Sequence, residues 1–260
     1  MNELVSIVML SEKNEEFLIE TIRSVQAQTY ENWELLFIDD SQKGDNLNIM
    51  LKEKDADSRI KVSAFVYKNG PARASNAVLK QAQGRWIAFI DAGDLWEPNK
   101  LEKQIAYMKE HNYKVSYTKY GVINRYGKDK GVVISGPEHI DKTLMMKCYW
   151  SALLTVMYDT EKIGKLNIPN LVENNGYAVM LLLAEKADCY LLGENLASQR
   201  ISKGLFVRAS SGKKFFWRYG AYRVVANLGR FEALLQTFVN MYFTLVKRVK
   251  YVEKAVSFRT

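Results

Sequence analysis

The sequence WIAFIDAGDLW at residues 86–96 decides the fold of this chain. Its first five residues are apolar, and Asp91 follows them directly. A short, continuous apolar run of this kind is typical of a strand buried on both faces of a parallel sheet. A second run of similar form, WELLFIDD at residues 33–40, ends in Asp39 and Asp40. The two runs predict two strands of one sheet, each followed by acidic residues.

Strand and helix patterns alternate around these two runs. Strand patterns cover 5–9, 33–38, 60–67 and 86–90, and helical spacing covers 14–28, 46–53, 72–83 and 101–111. This alternation predicts an α/β fold with a doubly wound, mostly parallel sheet. Ligands bind beyond the carboxyl ends of such strands, so we expect the acids after the two runs to face one pocket. The later pattern is less regular and predicts strands at 115–120, 121–125, 153–158 and 188–192, and helices at 140–148 and 176–186.

The composition is that of a globular protein. The chain has 260 residues, of which 48% are hydrophobic and 25% are charged. Cys148 and Cys189 lie far apart without metal-type spacing, which predicts reduced thiols in a cytoplasmic protein rather than a disulfide or zinc site. The sequence predicts neither a signal peptide nor the run of about 18 apolar residues that a membrane-spanning helix needs.

The positive charge is concentrated near the C-terminus. The net charge is +8, but twelve basic and two acidic residues follow position 200, leaving 25 basic against 27 acidic residues before it. We therefore predict two parts, a domain over 1–205 and a basic, amphipathic helical extension over 206–260. Apolar residues recur in this extension at helical spacing: Phe231, Leu234, Leu235, Phe238, Tyr242, Leu245 and Val249. This stripe either packs on the sheet domain or a second subunit, or lies in an anionic membrane interface.

The order of motifs resembles that of family 2 glycosyltransferases. The resemblance rests on residues 6–9 (SIVM), 22–30 (IRSVQAQTY), 33–40, 69–72 (NGPA) with Asn76, and 84–96. It is strongest over residues 4 to about 110 and continues more loosely to about 200. It implies a GT-A fold, here with a C-terminal helical appendage. It also implies transfer of a sugar from a nucleotide diphosphate, such as a UDP-sugar, to an acceptor hydroxyl, usually with inversion.

The resemblance also implies roles for particular residues. Nucleotide binding is expected of Asp39, Asp40, Asn76 and Arg73. Asp91 and Asp94 match the outer acids of the motif that binds Mg²⁺ or Mn²⁺, a cation that neutralises charge on the departing diphosphate. An alternative remains, because an aspartate after a strand also caps the next helix.

Two departures from the family pattern fall where the chemistry would be. Gly93 stands where many members have a metal-binding aspartate, and Asn175 and Gly176 stand where the family has an acid pair containing the catalytic base. Glu173 is the nearest substitute for that base, or else a helix-capping residue. Loss of a general base typically lowers a rate by about 10²–10⁴-fold. Two hypotheses therefore stay open, an active transferase and a catalytically impaired relative that binds a nucleotide sugar, a glycan or a partner enzyme.

The expected partners follow from the resemblance and the charge. They are a nucleotide-sugar donor and a glycan or lipid-linked acceptor used in surface polysaccharide synthesis. The basic extension suggests a cytoplasmic protein that is peripheral at the inner membrane face, and a homodimer is an open alternative. Nucleic acid is not expected, because no nucleic-acid module accompanies the charge. A nucleotidyltransferase is a weaker alternative, because no glycine-rich phosphate loop follows the first strand pattern.

Overall fold

The computed structural model describes residues 3–11, 15–39, 45–63, 71–169, 171, 175–201 and 211–254. In these ranges the strands are β1 (Val5–Ser11), β2 (Trp33–Asp39), β3 (Ile60–Ser63), β4 (Trp86–Asp91), β5 (Leu95–Trp96), β6 (Val115–Asn124), β7 (Asp129–Ile134), β8 (His139–Ile140), β9 (Met157–Asp159), β10 (Cys189–Ile201) and β11 (Val252–Lys254). The helices are α1 (Glu15–Gln26), α2 (Asp45–Ala56), α3 (Pro71–Gln81), α4 (Lys100–Glu110), α5 (Lys142–Lys147), α6 (Thr160–Ile163), α7 (Asn175–Ala184), α8 (Ser211–Val224) and α9 (Arg230–Lys250).

One mixed sheet runs through the molecule in the order β11-β7-β6-β9-β4-β1-β2-β3. Strand β1 pairs in parallel with β2 and β4, and β2 pairs in parallel with β3. Strand β9 lies antiparallel between β4 and β6, while β10 pairs in parallel with the other edge of β6. The longest pairings are parallel, which confirms the predicted α/β fold.

Apolar side chains fill the space on both faces of the sheet. On one face, Leu18 of α1, Met50 of α2 and Ile105 of α4 join the core. On the other face, Val78 of α3 and Met180 of α7 do the same. The two cores are formed by residues such as Ile7 and Val8, which alternate along β1 and point to opposite faces. Helices cover both faces of the sheet, as the doubly wound prediction requires.

Two local predictions were wrong, and one strand was missed. Residues 115–124 form one strand rather than two, because Gly121 lies against Asn195 of β10 and does not end the strand. Residues 153–158 form a 3₁₀ turn over Leu153–Thr155 before the short strand β9. The Thr155 hydroxyl donates a hydrogen bond to the Ala152 carbonyl at 2.6 Å, and this local bond competes with strand pairing. Strand β7 was not predicted at all.

The C-terminal helices pack on the sheet domain. Tyr222 of α8 and Ala233 of α9 belong to the core on one face of the sheet, and β11 adds an edge strand through Val252, which pairs with Ile134. The predicted domain boundary at 205/206 falls in residues 202–210, outside the described residues, and stays a prediction. Cys148 and Cys189 are buried free thiols, as expected. Within the described ranges, no helix combines the length and the apolar character needed to cross a bilayer.

Candidate functional site

Asp39 and Asp91 end two strands that lie on either side of β1. In the register of the sheet, Asp39 pairs with Ser11 of β1, and Asp91 pairs with Leu10. Their backbones are therefore two strand spacings apart, about 10 Å, at the same carboxyl edge of the sheet. Strand β1 separates the two, but the expected shared edge is present. Asp40 lies outside the described residues.

The turn after β4 has a specific backbone shape. The Asp94 N–H donates a hydrogen bond to the Asp91 carbonyl at 3.0 Å, and Gly93 has a φ of +108°. This φ lies in the region that favours glycine, because a Cβ would be crowded there. Thr21 of α1 holds the turn from one side: its hydroxyl oxygen accepts the Gly93 N–H at 2.8 Å and donates to the Asp94 carbonyl at 2.9 Å.

Arg200, near the end of β10, forms two further hydrogen bonds with the same turn. Its Nε donates a hydrogen bond to the Gly93 carbonyl at 2.8 Å, and its backbone N–H donates to Asp94 Oδ1 at 2.9 Å. Its side chain is 5% exposed and forms an ion pair with Glu20 of α1. Arg200 was not among the predicted site residues. No local sequence signal identifies it, because its partners lie about a hundred residues earlier.

Asp94 is buried, unlike Asp91. Burial, reinforced by the charge of Asp91, raises the pKa of Asp94 well above its usual range, although the Arg200 backbone N–H and guanidinium act in the opposite direction. One carboxylate oxygen is already bound to the backbone of β10. This placement favours a positioning role for Asp94, while its predicted role as a metal ligand stays a prediction.

The residues around the turn fit a cation that is held mainly by a diphosphate. Asp91 is exposed at the end of β4, and Gly93 offers no carboxylate. Among the residues that the structure describes, no three His, Cys, Asp or Glu side chains cluster as a cation site. Mg²⁺ is commonly bound through one or two carboxylates together with substrate phosphates. Asp91 supplies one such carboxylate, so this turn fits a cation that is also bound by a diphosphate. The turn does not fit a cation bound by described protein groups alone.

Tyr149 lies beside the position at which the resemblance leads us to expect a base. A Cβ added to Gly176 would lie 2.7 Å from the Tyr149 hydroxyl oxygen. Burial, followed by the charge of Asp91, raises the pKa of Tyr149, so the phenol is neutral at physiological pH. Tyr149 was also missed, because nothing in the sequence connects it to Gly176. Glu173, the predicted substitute base, lies outside the described residues.

The two predicted nucleotide-binding residues of α3 have different surroundings. The Asn76 amide exchanges two hydrogen bonds with the backbone of Ile168, each 2.7 Å long. Arg73 is exposed. Nucleotide binding by either residue stays a prediction, and for Asn76 it would compete with the link to Ile168.

Comparison with known proteins places this geometry in a family. The family model described as glycosyl transferase family 2 matches residues 6–163. The chain is 37% identical over 182 residues to the Escherichia coli UDP-Glc:α-D-GlcNAc-diphosphoundecaprenol β-1,3-glucosyltransferase WfgD, covering 70% of each protein. It is 32% identical over 199 residues to Bacillus subtilis TuaG, a glycosyltransferase named for teichuronic acid biosynthesis, covering 76% of this chain and 79% of TuaG.

A solved structure supports the fold. Staphylococcus aureus TarS 1–349, crystallised with UDP-GlcNAc, superposes with a TM-score of 0.69 at 18% identity, covering 95% of this chain and 74% of TarS 1–349. At that identity the likeness concerns the fold alone. The match over residues 6–163 spans β1 to α6 and includes the Asp91–Asp94 turn. The chain belongs to glycosyl transferase family 2.

Proposed function

We propose that this protein transfers a sugar from a UDP-sugar to a glycan or lipid-linked acceptor during surface polysaccharide synthesis, with inversion at the sugar. The observation that carries the proposal is the register of the sheet, which brings Asp39 and Asp91 to one edge in a family 2 chain. The donor and acceptor classes are those in the name of WfgD, which uses UDP-Glc and a diphosphoundecaprenol-linked sugar. The name of TuaG supports the polysaccharide context.

The proposed roles divide between binding and proton transfer. Asp39 and Asp40 bind the nucleoside, with Asn76 and Arg73 as further contacts on α3. Asp91 would hold Mg²⁺ or Mn²⁺ beside the donor diphosphate, and the cation would neutralise charge on the leaving group. Asp94, with its carboxylate on the backbone of β10, orients the turn that carries Asp91. Glu173 takes the proton from the acceptor hydroxyl.

The acceptor suggests where the protein works. A diphosphoundecaprenol-linked sugar, as used by WfgD, is anchored in a membrane by its lipid. We propose a cytoplasmic enzyme that is peripheral at the inner membrane face, in agreement with the excess of basic residues after position 200.

A transfer assay with Asp91→Asn tests the proposal. Purified protein, UDP-glucose or UDP-GlcNAc, Mn²⁺ and a lipid-linked GlcNAc acceptor should give a glycosylated lipid. Asp91→Asn should lower kcat/KM by roughly 10²-fold or more, because one charged contact to the metal–diphosphate is lost. Glu110→Gln is the matched control, since Glu110 is an exposed carboxylate at the end of α4. Equal activity of Asp91→Asn and the control would contradict the proposal.

A catalytically impaired relative is the second candidate function. Two observations favour it: Gly93 offers no metal-binding carboxylate, and the Tyr149 hydroxyl lies where a side chain at Gly176 would project. Such a protein would bind the donor without transferring its sugar. Calorimetric titration with UDP-sugars, with and without Mn²⁺, combined with the transfer assay above, separates the two candidates. Donor binding without transfer to the lipid-linked acceptor would favour the second.

A further inference from the structure

The longest helix of the C-terminal extension has its apolar side on the outside. Phe231 of α9 is 70% exposed and Val249 is 87% exposed, at opposite ends of the helix. The residues between them on the same side are also exposed: Leu235, Phe238, Tyr242 and Leu245. We call these six residues the outer stripe of α9. Of the alternatives left open for the apolar stripe, packing on the sheet domain does not hold for these six residues.

The polar side of α9 faces the protein, and this fixes the rotation of the helix. Asn240 is buried, and its amide donates hydrogen bonds to the hydroxyl groups of Tyr222 at 2.9 Å and Tyr177 at 3.1 Å. Thr237, one turn earlier, is also fully buried. Rotating α9 to bury the outer stripe would break these bonds and leave buried polar groups unpaired. The exposure of the stripe is thus built into the packing.

The outer stripe is wide and uncharged along its middle. Helix α9 itself contributes no Lys, Arg, Asp or Glu between Glu232 and Lys247. Helix α8 widens the surface: the Phe215 ring lies 5.5 Å from the Phe238 ring, and Phe216 is exposed. An open cleft of about 450 Å³ lies between the two helices, beside Phe231. Contiguous exposed apolar surface of this kind marks an interaction site.

Basic residues border this surface at both ends of α9. Helices α8 and α9 contain eight Lys or Arg residues and a single acid, Glu232. Arg230 is exposed at the start of α9, and Arg248 and Lys250 are exposed at its end. An apolar face bordered by basic residues is the pattern of a helix that lies in the interface of an anionic membrane. A second copy of the chain fits less well, because two such faces would bring like charges together.

We propose that α8 and the outer stripe of α9 bind the surface of an anionic lipid bilayer. The polar side of α9 contacts the candidate site, because Lys247 Nζ donates a hydrogen bond to the Tyr149 carbonyl at 2.9 Å. A helix is about 10 Å across, so binding through the stripe holds the site close to the lipid headgroups. The proposed surface specifies how the protein contacts the membrane. It rests on the proposed function only for its purpose, which is access to a lipid-linked acceptor.

Vesicle sedimentation with the full chain tests the proposal. Binding to vesicles of phosphatidylcholine with about 30% phosphatidylglycerol should exceed binding to phosphatidylcholine alone by roughly tenfold or more. The variant Leu235→Gln/Tyr242→Gln/Leu245→Gln should lose about tenfold or more in affinity, because less apolar area enters the interface. Its matched control is Ile19→Gln/Leu51→Gln, which changes exposed apolar residues of α1 and α2 and should bind as the unmodified protein does.

Two results would overturn the proposal. One is equal vesicle binding by the stripe variant and the unmodified protein, with circular dichroism showing that both are folded. The other is a dimer in solution that the stripe variant loses, which would identify a second copy as the occupant. Transfer to a water-soluble acceptor analogue separates this from the proposed function. A protein that transfers sugar without binding vesicles contradicts the membrane surface and the membrane location but not the transferase activity, and one that binds vesicles without transfer contradicts only the transferase activity.

Discussion

The Tyr149 hydroxyl occupies the space that a side chain at Gly176 would enter. An added Cβ would lie 2.7 Å from this oxygen, closer than real Cβ contacts come, while the next neighbours are at 3.4 Å or more. Glycine replaces the expected acid at position 176, and the Tyr149 hydroxyl fills part of the space that the side chain of such an acid would need. The phenol is neutral and cannot serve as the missing base, but it can donate a hydrogen bond to an acceptor or a diphosphate.

A double-mutant cycle tests this relationship. Gly176→Ala alone should lower the free energy of unfolding by roughly 1–3 kcal/mol through overpacking against the hydroxyl. In a Tyr149→Phe background the same change should be neutral or stabilising by up to about 1 kcal/mol, because alanine favours a helix over glycine. Urea unfolding of the four proteins measures the coupling. Additivity of the two changes within about 0.5 kcal/mol would show that the groups do not touch.

Arg200 should act on donor binding through the turn that it supports. Arg200→Lys keeps a positive charge near Glu20 but loses the Nε hydrogen bond to the Gly93 carbonyl. We expect the Kd for a UDP-sugar to rise about tenfold, in line with the loss of a charge-assisted hydrogen bond.

Glu20→Gln is the control for the Arg200 prediction. It removes only the ion pair, whose carboxylate side chain is 53% exposed, and should change the Kd by less than about twofold. Calorimetric titration measures both variants, and thermal unfolding shows whether they are folded. Unchanged donor affinity in a folded Arg200→Lys protein would remove Arg200 from the site.

Gly93 is needed for the shape of its turn. With a φ of +108°, Gly93→Ala should cost roughly 1–3 kcal/mol of unfolding free energy. Gly193→Ala is a matched control in β10, where an added Cβ meets nothing within 4 Å and φ is not positive. This control should stay within about 0.5 kcal/mol of the unmodified protein. Equal effects of the two changes in denaturant unfolding would contradict a special role for the Gly93 backbone.

The parallel half of the fold was predictable because its signals are local. Apolar runs such as 86–90 define strands by themselves, and their order along the chain fixes the right-handed crossovers. Strand β7 escaped prediction because Gly131 and two charged residues break its apolar pattern, and its pairing with β11 brings together residues over a hundred positions apart.

The site and the C-terminal helix show where local reasoning ends. The spacing of apolar residues identified the stripe of α9 but not the side of the helix that is buried. The buried side is determined by the hydrogen bonds that Asn240 donates to Tyr177 of α7 and Tyr222 of α8. Arg200 and Tyr149 were missed for the same reason, since each meets its site only after folding.

Lys100 should make the stability of the protein depend on pH. It is fully buried, its Nζ donates a hydrogen bond to Gln104 at 2.7 Å, and it lies 4.3 Å from the centre of the Trp96 ring. Burial lowers the pKa of Lys100 to about 7, whereas an unfolded lysine has a pKa near 10.4. Between these values the unfolded chain binds more protons than the folded one, so the free energy of unfolding rises with pH above about 7.

The size of the Lys100 effect follows from the same linkage. The full slope for one group is about 1.4 kcal/mol per pH unit, so the gain from pH 7 to pH 9 should be about 2 kcal/mol. Lys100→Met keeps the apolar stem and removes the titrating group, and its unfolding free energy should lack this gain. Lys52→Met, at an exposed position of α2, should keep it. Parallel curves for the unmodified protein and Lys100→Met in urea unfolding at pH 6 to 9 would mean that Lys100 stays charged inside the core.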